Sequence, residues 1–390
     1  MLREIIWLTP DLSGLGGSEY LVACFCRLLG AQGIRVHIIT RSVHASWKKV
    51  LEQRAGQDDE ENDWQRKGTA QISLLETHSG QIRDFTDAID SIVLESELQG
   101  SAISIMQVMP LESFCFEVIQ AKKYPFPICG LEPTDLSNKC WWLPEDLGNL
   151  IHQLDGLIVL NPNAETTARD KYHYRGPVSI ISNTVIDNLY RNADQKYPSV
   201  TFGCISRLSA EKGLEYLLAA FSLLSDRYPS ATLSIWGGGE DHERLLNQSR
   251  MLGIQERIRI HGVFHPFDDS LSISESADIF VLPSLFEGCP TSLLELAGRG
   301  KPLISSVTSG GKWLLGEDYP GLVPVADTRS LSQMMERALS DLQFRQLLAD
   351  HAYHRSHSMF SAPNTSKQLI SFYSNVLTPA GNKVIQPTTK

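Results

Sequence analysis

Glu287 and Glu295 stand eight residues apart inside Ala277–Ser305, ADIFVLPSLFEGCPTSLLELAGRGKPLIS. The stretch predicts a buried strand over Ile279–Leu282, a loop holding Glu287 and Gly288, and a helix that opens at Pro290 and carries Glu295. Such a loop aims backbone N–H groups and the positive end of the helix dipole at whatever lies beyond the strand, which suits a phosphate. Carboxylates before and inside the helix can accept hydrogen bonds from two sugar rings flanking that phosphate. The chemistry is that of holding a nucleotide diphospho-sugar. Spacing alone decides little, because about one Glu-x7-Glu pair arises by chance in a chain of this size. On local grounds a helix-capping Glu287 and a surface-paired Glu295 are an equal alternative.

A second group of charges lies upstream. The run SRLSAEKGLEYLLAAF places Arg207 at the exit of a strand and Lys212 at the start of a helix expected over Glu211–Ser225. A guanidinium fork and an ammonium point charge together suit a diphosphate. They would also stabilise charge developing on a departing phosphate. Taken alone, a solvated Lys212 and an Arg207 paired with a local acid are the simpler reading. Further on, LSIWGGGEDHERLL sets Gly237, Gly238 and Gly239 behind a buried strand, where backbone can approach a ligand. Trp236 either walls a base pocket or fills the core. RIRIHGVF ends a strand at His261 and Gly262, leaving Val263 and Phe264 to offer backbone groups to a base edge.

The first half holds one comparable turn, TPDLSGLGGSEYLVACFCRLL, with Gly14, Gly16 and Gly17 leading into a helix. A dinucleotide fingerprint needs a third glycine where Glu19 stands, which argues against NAD. Glu19 reads as a helix cap.

Strands must carry these groups, and short β-branched runs alternate with helical patterns throughout, the mark of parallel sheets covered by helices. The first half predicts strands at Ile5–Thr9, Val36–Thr40, Ile72–Leu75, Ala102–Val108, Pro127–Leu131, Leu157–Leu160 and Val178–Ile181. The second half restarts with Val200–Ser206, Ala231–Trp236, Arg257–His261, Ile279–Leu282 and Pro302–Ser305. Its helices are expected over Glu211–Ser225, Glu240–Leu252, Thr291–Ala297, Ser330–Leu339 and Asp341–His357. Trp47–Lys67 reads as a charged surface insertion. The expected division is a first domain over 1–185, a polar linker over 186–198 and a second domain over 199–360. A final helix in 361–378 can pack back on the first domain, ahead of a frayed tail. Two α/β domains facing each other leave a cleft at their strand C-termini, where ligands of open sheets bind.

Bulk properties set the boundaries. A chain of 390 residues suffices for two cores. A net charge of −10 argues against nucleic acid as a partner. The first half carries about 25 acidic against about 16 basic side chains, so most of the excess lies there. Seven cysteines without a CxxC pair fit a reducing compartment. Glu4 and Asp11 interrupt the only apolar run of a would-be leader, and no stretch reaches the length of a membrane helix. The expected location is the cytoplasm; Lys122 and Lys123 are only a feeble basis for docking at the inner membrane face. No metal-ligand spacing and no Asp-x-Asp occur, so neither a metal nor another cofactor is expected.

The order of these motifs resembles the second domain of retaining glycosyltransferases of family 4, on Arg207-Leu208-x-x-x-Lys212-Gly213, Gly237–Gly239, His261–Phe264, and Glu287 with Glu295. The resemblance implies a GT-B fold, two Rossmann-like α/β domains facing across a cleft, and transfer of a hexosyl unit from a UDP-, GDP- or ADP-sugar. It implies that Arg207 and Lys212 hold the donor diphosphate and that Glu287 contacts the donor sugar. Gly288 and Cys289 would lend backbone amides, the helix start at Pro290 would meet the phosphate, and Glu295 would hold the ribose. Gly16 and Gly17 would lie near the donor phosphates, and Gly238 and Val263 near the nucleotide. Asn183 and Val185 in ISNTVIDNLY match the family's hinge segment, whereas Ser182, Thr184 and Ile186 depart from it. The family's histidine beside the reacting sugar is replaced by Cys129 ahead of Gly130, leaving Glu132 or Asp135 to take over its contacts. The implied acceptor is a glycan or lipid-linked glycan. A small, amine-bearing acceptor, a non-catalytic sugar-nucleotide binder and an oxidoreductase stay open as rivals.

Overall fold

The computed structural model describes residues 2–52, 72–137, 140, 142–185, 200–265 and 269–378. The expected linker, most of the charged insertion and the last dozen residues lie outside these. The first sheet contains β1 (Glu4–Leu8), β2 (Arg35–Thr40), β3 (Ile72–Glu76), β4 (Ile105–Val108), β5 (Ile128–Glu132), β6 (Gly156–Val159) and β7 (Val178–Ile180). The second contains β8 (Thr201–Ile205), β9 (Thr232–Trp236), β10 (Ile258–Ile260), β11 (Ile279–Leu282), β12 (Leu303–Ser306) and β13 (Leu322–Val323). Their orders are β3-β2-β1-β4-β5-β6-β7 and β10-β9-β8-β11-β12-β13. The pairs are parallel, Trp7 against Ile38 on one side of β1 and Gln107 on the other, for example. Parallel sheets are covered on both faces, which is why EIIWL and IFVL are buried at every position.

Both sheets start in the middle, run to one edge and return, so strand order reverses between β1 and β4 and again between β8 and β11. Loops diverge at such a reversal and leave a crevice beyond the strand C-termini. The turn after β1 carries Gly14, Gly16 and Gly17, while those after β8 and β11 carry Arg207, Lys212 and Glu287. The topology alone therefore brings these motifs to the two facing crevices.

Several expectations are corrected. The helix expected over Glu211–Ser225 is a single 3-10 turn, Ala210–Lys212, followed by Leu214–Ser225. Gly213 between them has φ 60°, and a Cβ there would sit 2.4 Å from the Pro283 carbonyl oxygen. The break follows from that left-handed turn, which a side chain would strain. Trp47 is not in a surface insertion: it lies in the helix Ala45–Glu52, buried with Val50 and Leu51. The helix Ser309–Leu315 and the strand Leu322–Val323 were not foreseen, being too short and glycine-rich for a periodic signal. The helix Ala362–Leu377 crosses to the first domain and packs on Gly17–Ala31. There Phe372 and Val376 occupy the space left by Gly156, and the Tyr373 hydroxyl donates to Gln107 Oε1 at 2.9 Å. Among the described residues no helix is long and apolar enough to cross a membrane.

Candidate active site

Lys212 and Glu287 meet across the crevice of the second domain. Lys212 Nζ lies 2.7 Å from Glu287 Oε1, with both side chains largely buried, and the Ser284 hydroxyl donates to the same oxygen at 2.7 Å. The turn forced by Gly213 delivers Lys212 to this place, because it presses the Lys212 segment against Pro283 at the end of β11. Arg207 behaves differently. Its guanidinium is 62% exposed and pairs with Glu211 at 2.7 Å, so a local ion pair holds it. Burial pushes the Glu211 carboxyl up, but the Ser209 hydroxyl, a backbone N–H and the Arg207 and Lys212 charges outweigh it and hold the group below its ordinary value.

The glycine turn after β9 lies against the same loop. Leu208 N–H donates to the Gly238 carbonyl at 2.8 Å, and Gly237 N–H donates to the Gly262 carbonyl at 2.8 Å. Gly238 and Val263 are neighbours, with Val263 Cγ2 2.6 Å from where a Gly238 Cβ would stand. Val263 is 68% exposed, an apolar side chain held open beside a turn that lacks one. Trp236 is a core residue, 7% exposed and stacked on His261 at 4.7 Å between ring centroids, so it does not wall a base pocket.

Pro290 caps rather than opens the helix Thr291–Gly298, and Glu295 sits half-buried one turn further on. Cys289 is buried, and burial pushes its thiol up to about 12. Only its backbone is available to a ligand. The first domain's glycine turn reaches this helix start directly: a Cβ on Gly17 would lie 2.8 Å from Thr291 Oγ1. Glu19 accepts from the Gly16 N–H at 3.1 Å, so it caps the helix start, as its place in the sequence suggests. Burial raises its carboxyl pKa, an effect that Asp11 reinforces and Arg207 across the crevice opposes.

Cys129 does not stand at the cleft. It lies inside β5, fully buried, and the strand continues to Glu132 before it exits. Glu132 is no substitute for a sugar-facing histidine either. It is fully buried and accepts from Leu111 N–H at 3.1 Å, Thr134 N–H at 3.1 Å, the Thr134 hydroxyl at 2.7 Å and Trp142 Nε1 at 3.3 Å. Burial raises its pKa against those donors. Asp135 accepts from Asn163 Nδ2 at 3.0 Å and from the Ser309 hydroxyl of the second domain, so it ties the domains together.

Some residues of the cleft rim carried no signal in the sequence. Asp11, Arg41 and Glu112 leave β1, β2 and β4 at their C-terminal ends. Asp11 accepts from Ser42 Oγ at 2.6 Å and Ser13 Oγ at 2.8 Å, and Arg41 lies 5.2 Å from the Phe114 ring centre. Burial raises the Glu112 carboxyl pKa; Arg41 opposes that, and Asp11 and Glu132 add to it. Asn161 and Asn183 reach the Gly288 and Cys289 carbonyls from the first domain. Asn161 caps the helix Pro162–Asp170, with Pro162 behind it and Glu165 in the first turn, a role the sequence reading did not assign. Among the described residues no three acidic, His or Cys side chains cluster as metal ligands.

Residues 199–341 match the family described as glycosyl transferases group 1. An uncharacterized glycosyltransferase of Haemophilus influenzae is 29% identical over 314 residues, 80% of this chain and 82% of its own. The lipopolysaccharide core biosynthesis glycosyltransferase LpsE of Rhizobium meliloti is 27% identical over 158 residues, 40% of this chain and 44% of its own. The Anabaena protein HepE, solved in complex with UDP-glucose, superposes with a TM-score of 0.73 at 17% identity, covering 95% of this chain and 99% of HepE. Residues 199–341 are therefore similar in sequence to the group 1 glycosyl transferases, in a chain whose two domains have the GT-B architecture.

Proposed function

We propose that this chain moves a hexosyl unit from a nucleotide diphospho-sugar to a glycan or lipid-linked acceptor, with retention of anomeric configuration and without a metal. The Lys212–Glu287 pair carries the reading, since it sets an ammonium and a sugar-binding carboxylate side by side at the second domain's strand reversal. Lys212 and the helix start after Pro290 would stabilise the departing diphosphate, and Arg207 would join them by leaving Glu211. Glu287 and the Gly288 and Cys289 amides would hold the donor sugar, and Glu295 the ribose. Gly16 and Gly17 would close on the phosphates, and Gly238 and Val263 on the base. The acceptor hydroxyl would attack the face from which the diphosphate leaves. Closure of the domains excludes water and limits hydrolysis.

HepE's UDP-glucose supports a nucleotide-sugar donor, and LpsE's role in lipopolysaccharide core assembly supports a glycan acceptor. Calorimetric titration with UDP-, GDP- and ADP-sugars should find one base bound in chelator-treated protein, and the product anomer should match the donor's. Binding of NAD(P) with no sugar nucleotide bound would overturn the reading. A second reading, a small amine-bearing acceptor, is favoured by the carboxylates of Asp11 and Glu112 on the first domain's rim. Raising salt should slow transfer to a cationic acceptor and barely affect a neutral one.

A further inference from the structure

The donor loop is gripped from the side opposite the sugar, and two of its three grips belong to the other domain. Three consecutive carbonyls are engaged. Glu287 O accepts from Gly310 N–H at 3.0 Å, Gly288 O from Asn161 Nδ2 at 2.8 Å, and Cys289 O from Asn183 Nδ2 at 3.2 Å. In a trans peptide the carbonyl and the N–H of one unit point in opposite directions. Fixing Glu287 O therefore aims the Gly288 N–H, and fixing Gly288 O aims the Cys289 N–H, away from the gripping groups. The next unit ends in Pro290 and has no N–H to aim.

Both asparagines belong to the first domain and are buried, at 0% and 3% exposure. Asn161 serves two elements with one amide. Its Oδ1 caps the helix Pro162–Asp170 by accepting from Ala164 N–H at 2.9 Å, while its Nδ2 crosses to Gly288. Asn183 Nδ2 is shared between Cys289 O and Thr291 Oγ1 at 2.5 Å. Contact is close enough that Gly288 cannot carry a side chain, since a Cβ would lie 2.6 Å from the Pro133 carbonyl oxygen.

We infer that Asn161 and Asn183 are positioning residues that orient the two donor-loop amides, so that the sugar-binding half of the donor site is complete only when the first domain is docked. The inference rests on the reading of the loop as the donor-sugar site. It predicts that the nucleotide diphosphate, held by Lys212 and Arg207, does not depend on these asparagines, whereas the added affinity brought by the sugar does.

The test measures affinities of UDP and UDP-glucose, GDP and GDP-mannose, and ADP and ADP-glucose for the wild-type protein, Asn161→Asp and Asn183→Ala. Asn161→Asp keeps the cap and replaces the donor N–H with an oxygen that the Gly288 carbonyl repels. Asn183→Ala caps no helix, so it covers the case in which the first variant does not fold. For the pair with a wild-type sugar increment, we expect that increment to fall at least fivefold in either variant while nucleotide affinity stays within twofold. An unchanged increment, or equal loss of nucleotide and sugar-nucleotide affinity in a folded variant, overturns the inference. A wild-type protein that binds none of the three pairs instead removes the donor-site reading on which it depends.

Discussion

Lys212 is the residue on which the proposed chemistry turns, because it is the buried cation beside the donor-side carboxylate. Removing it leaves Glu287 with Ser284 alone as a partner. Lys212→Ala should lower kcat/KM for transfer by about two to three orders of magnitude, the scale of losing a charge-stabilising donor. Arg207→Ala should do the same if Arg207 swings from Glu211 to the diphosphate, and wild-type-like turnover in the double variant would sink both assignments. Glu211 gives a pH prediction. Its folded pKa is depressed, so the stability it contributes is present above its ordinary value of 4.5 and is lost as pH falls through the lower folded value. Thermal melts of Glu211→Gln should lie below wild type at neutral pH and converge with it once both carboxyl populations are protonated.

At the scale of single elements, the short turn Ala210–Lys212 and the helix start after it are set by Gly213. Alanine there would be strained by the φ of 60° and would press on the Pro283 carbonyl. A left-handed non-glycine residue costs about 1–2 kcal/mol before any clash. Gly213→Ala should lower the melting temperature and also weaken donor binding, because Lys212 is carried by the displaced turn. A melt unchanged from wild type would show that the turn relaxes without cost. The helix Ala362–Leu377 is a second case, since it belongs to one domain by sequence order and to the other by packing. Tyr373→Phe removes the buried donor to Gln107 Oε1. The expected loss is about 1–3 kcal/mol for an acceptor left unpaired, read from chemical denaturation.

Taken whole, the molecule is two sheets of the same strand order whose reversal points face each other. The hydrogen bonds between them are specific: Asn161 to Gly288, Asn183 to Cys289, Ser309 to Asp135, and Trp313 Nε1 to Ser182 Oγ at 2.8 Å. Apolar contact adds to them, since the Trp47 ring lies 5.8 Å from that of His265 and Val185 packs at Gly298. Gly288→Ala would block the closest approach at Pro133. Small-angle scattering should then show a larger radius of gyration than wild type in the presence of donor, with transfer reduced and both domains folded. A variant as compact as wild type would place the barrier elsewhere.

The sequence determined the alternation of strands and helices, because buried parallel strands read as apolar β-branched runs. It also placed Arg207, Lys212 and Glu287 at strand exits and Glu295 in the helix that follows one, where topology turns a position along the chain into a position in a crevice. It could not say which charges pair. Whether Arg207 faces a ligand or turns back to Glu211 four residues on is a matter of side-chain geometry, and whether Lys212 is solvated or buried against Glu287 depends on a contact across 75 residues of chain. Cys129 was misplaced because the match to the family's histidine set it at the strand exit, although the strand predicted over Pro127–Leu131 already enclosed it; β5 runs one residue beyond that, to Glu132, and the cleft edge falls at Pro133 and Thr134. Asn183 stood out only as part of the hinge segment, and the contacts that Asn161 and Asn183 make to the Glu287–Pro290 loop were not legible, for a simpler reason. Their partners lie 127 and 106 residues away, and a backbone carbonyl leaves no trace in the identity of the residue that owns it. Only the packing of one domain on the other decides such a contact, because it is made to backbone that every sequence shares.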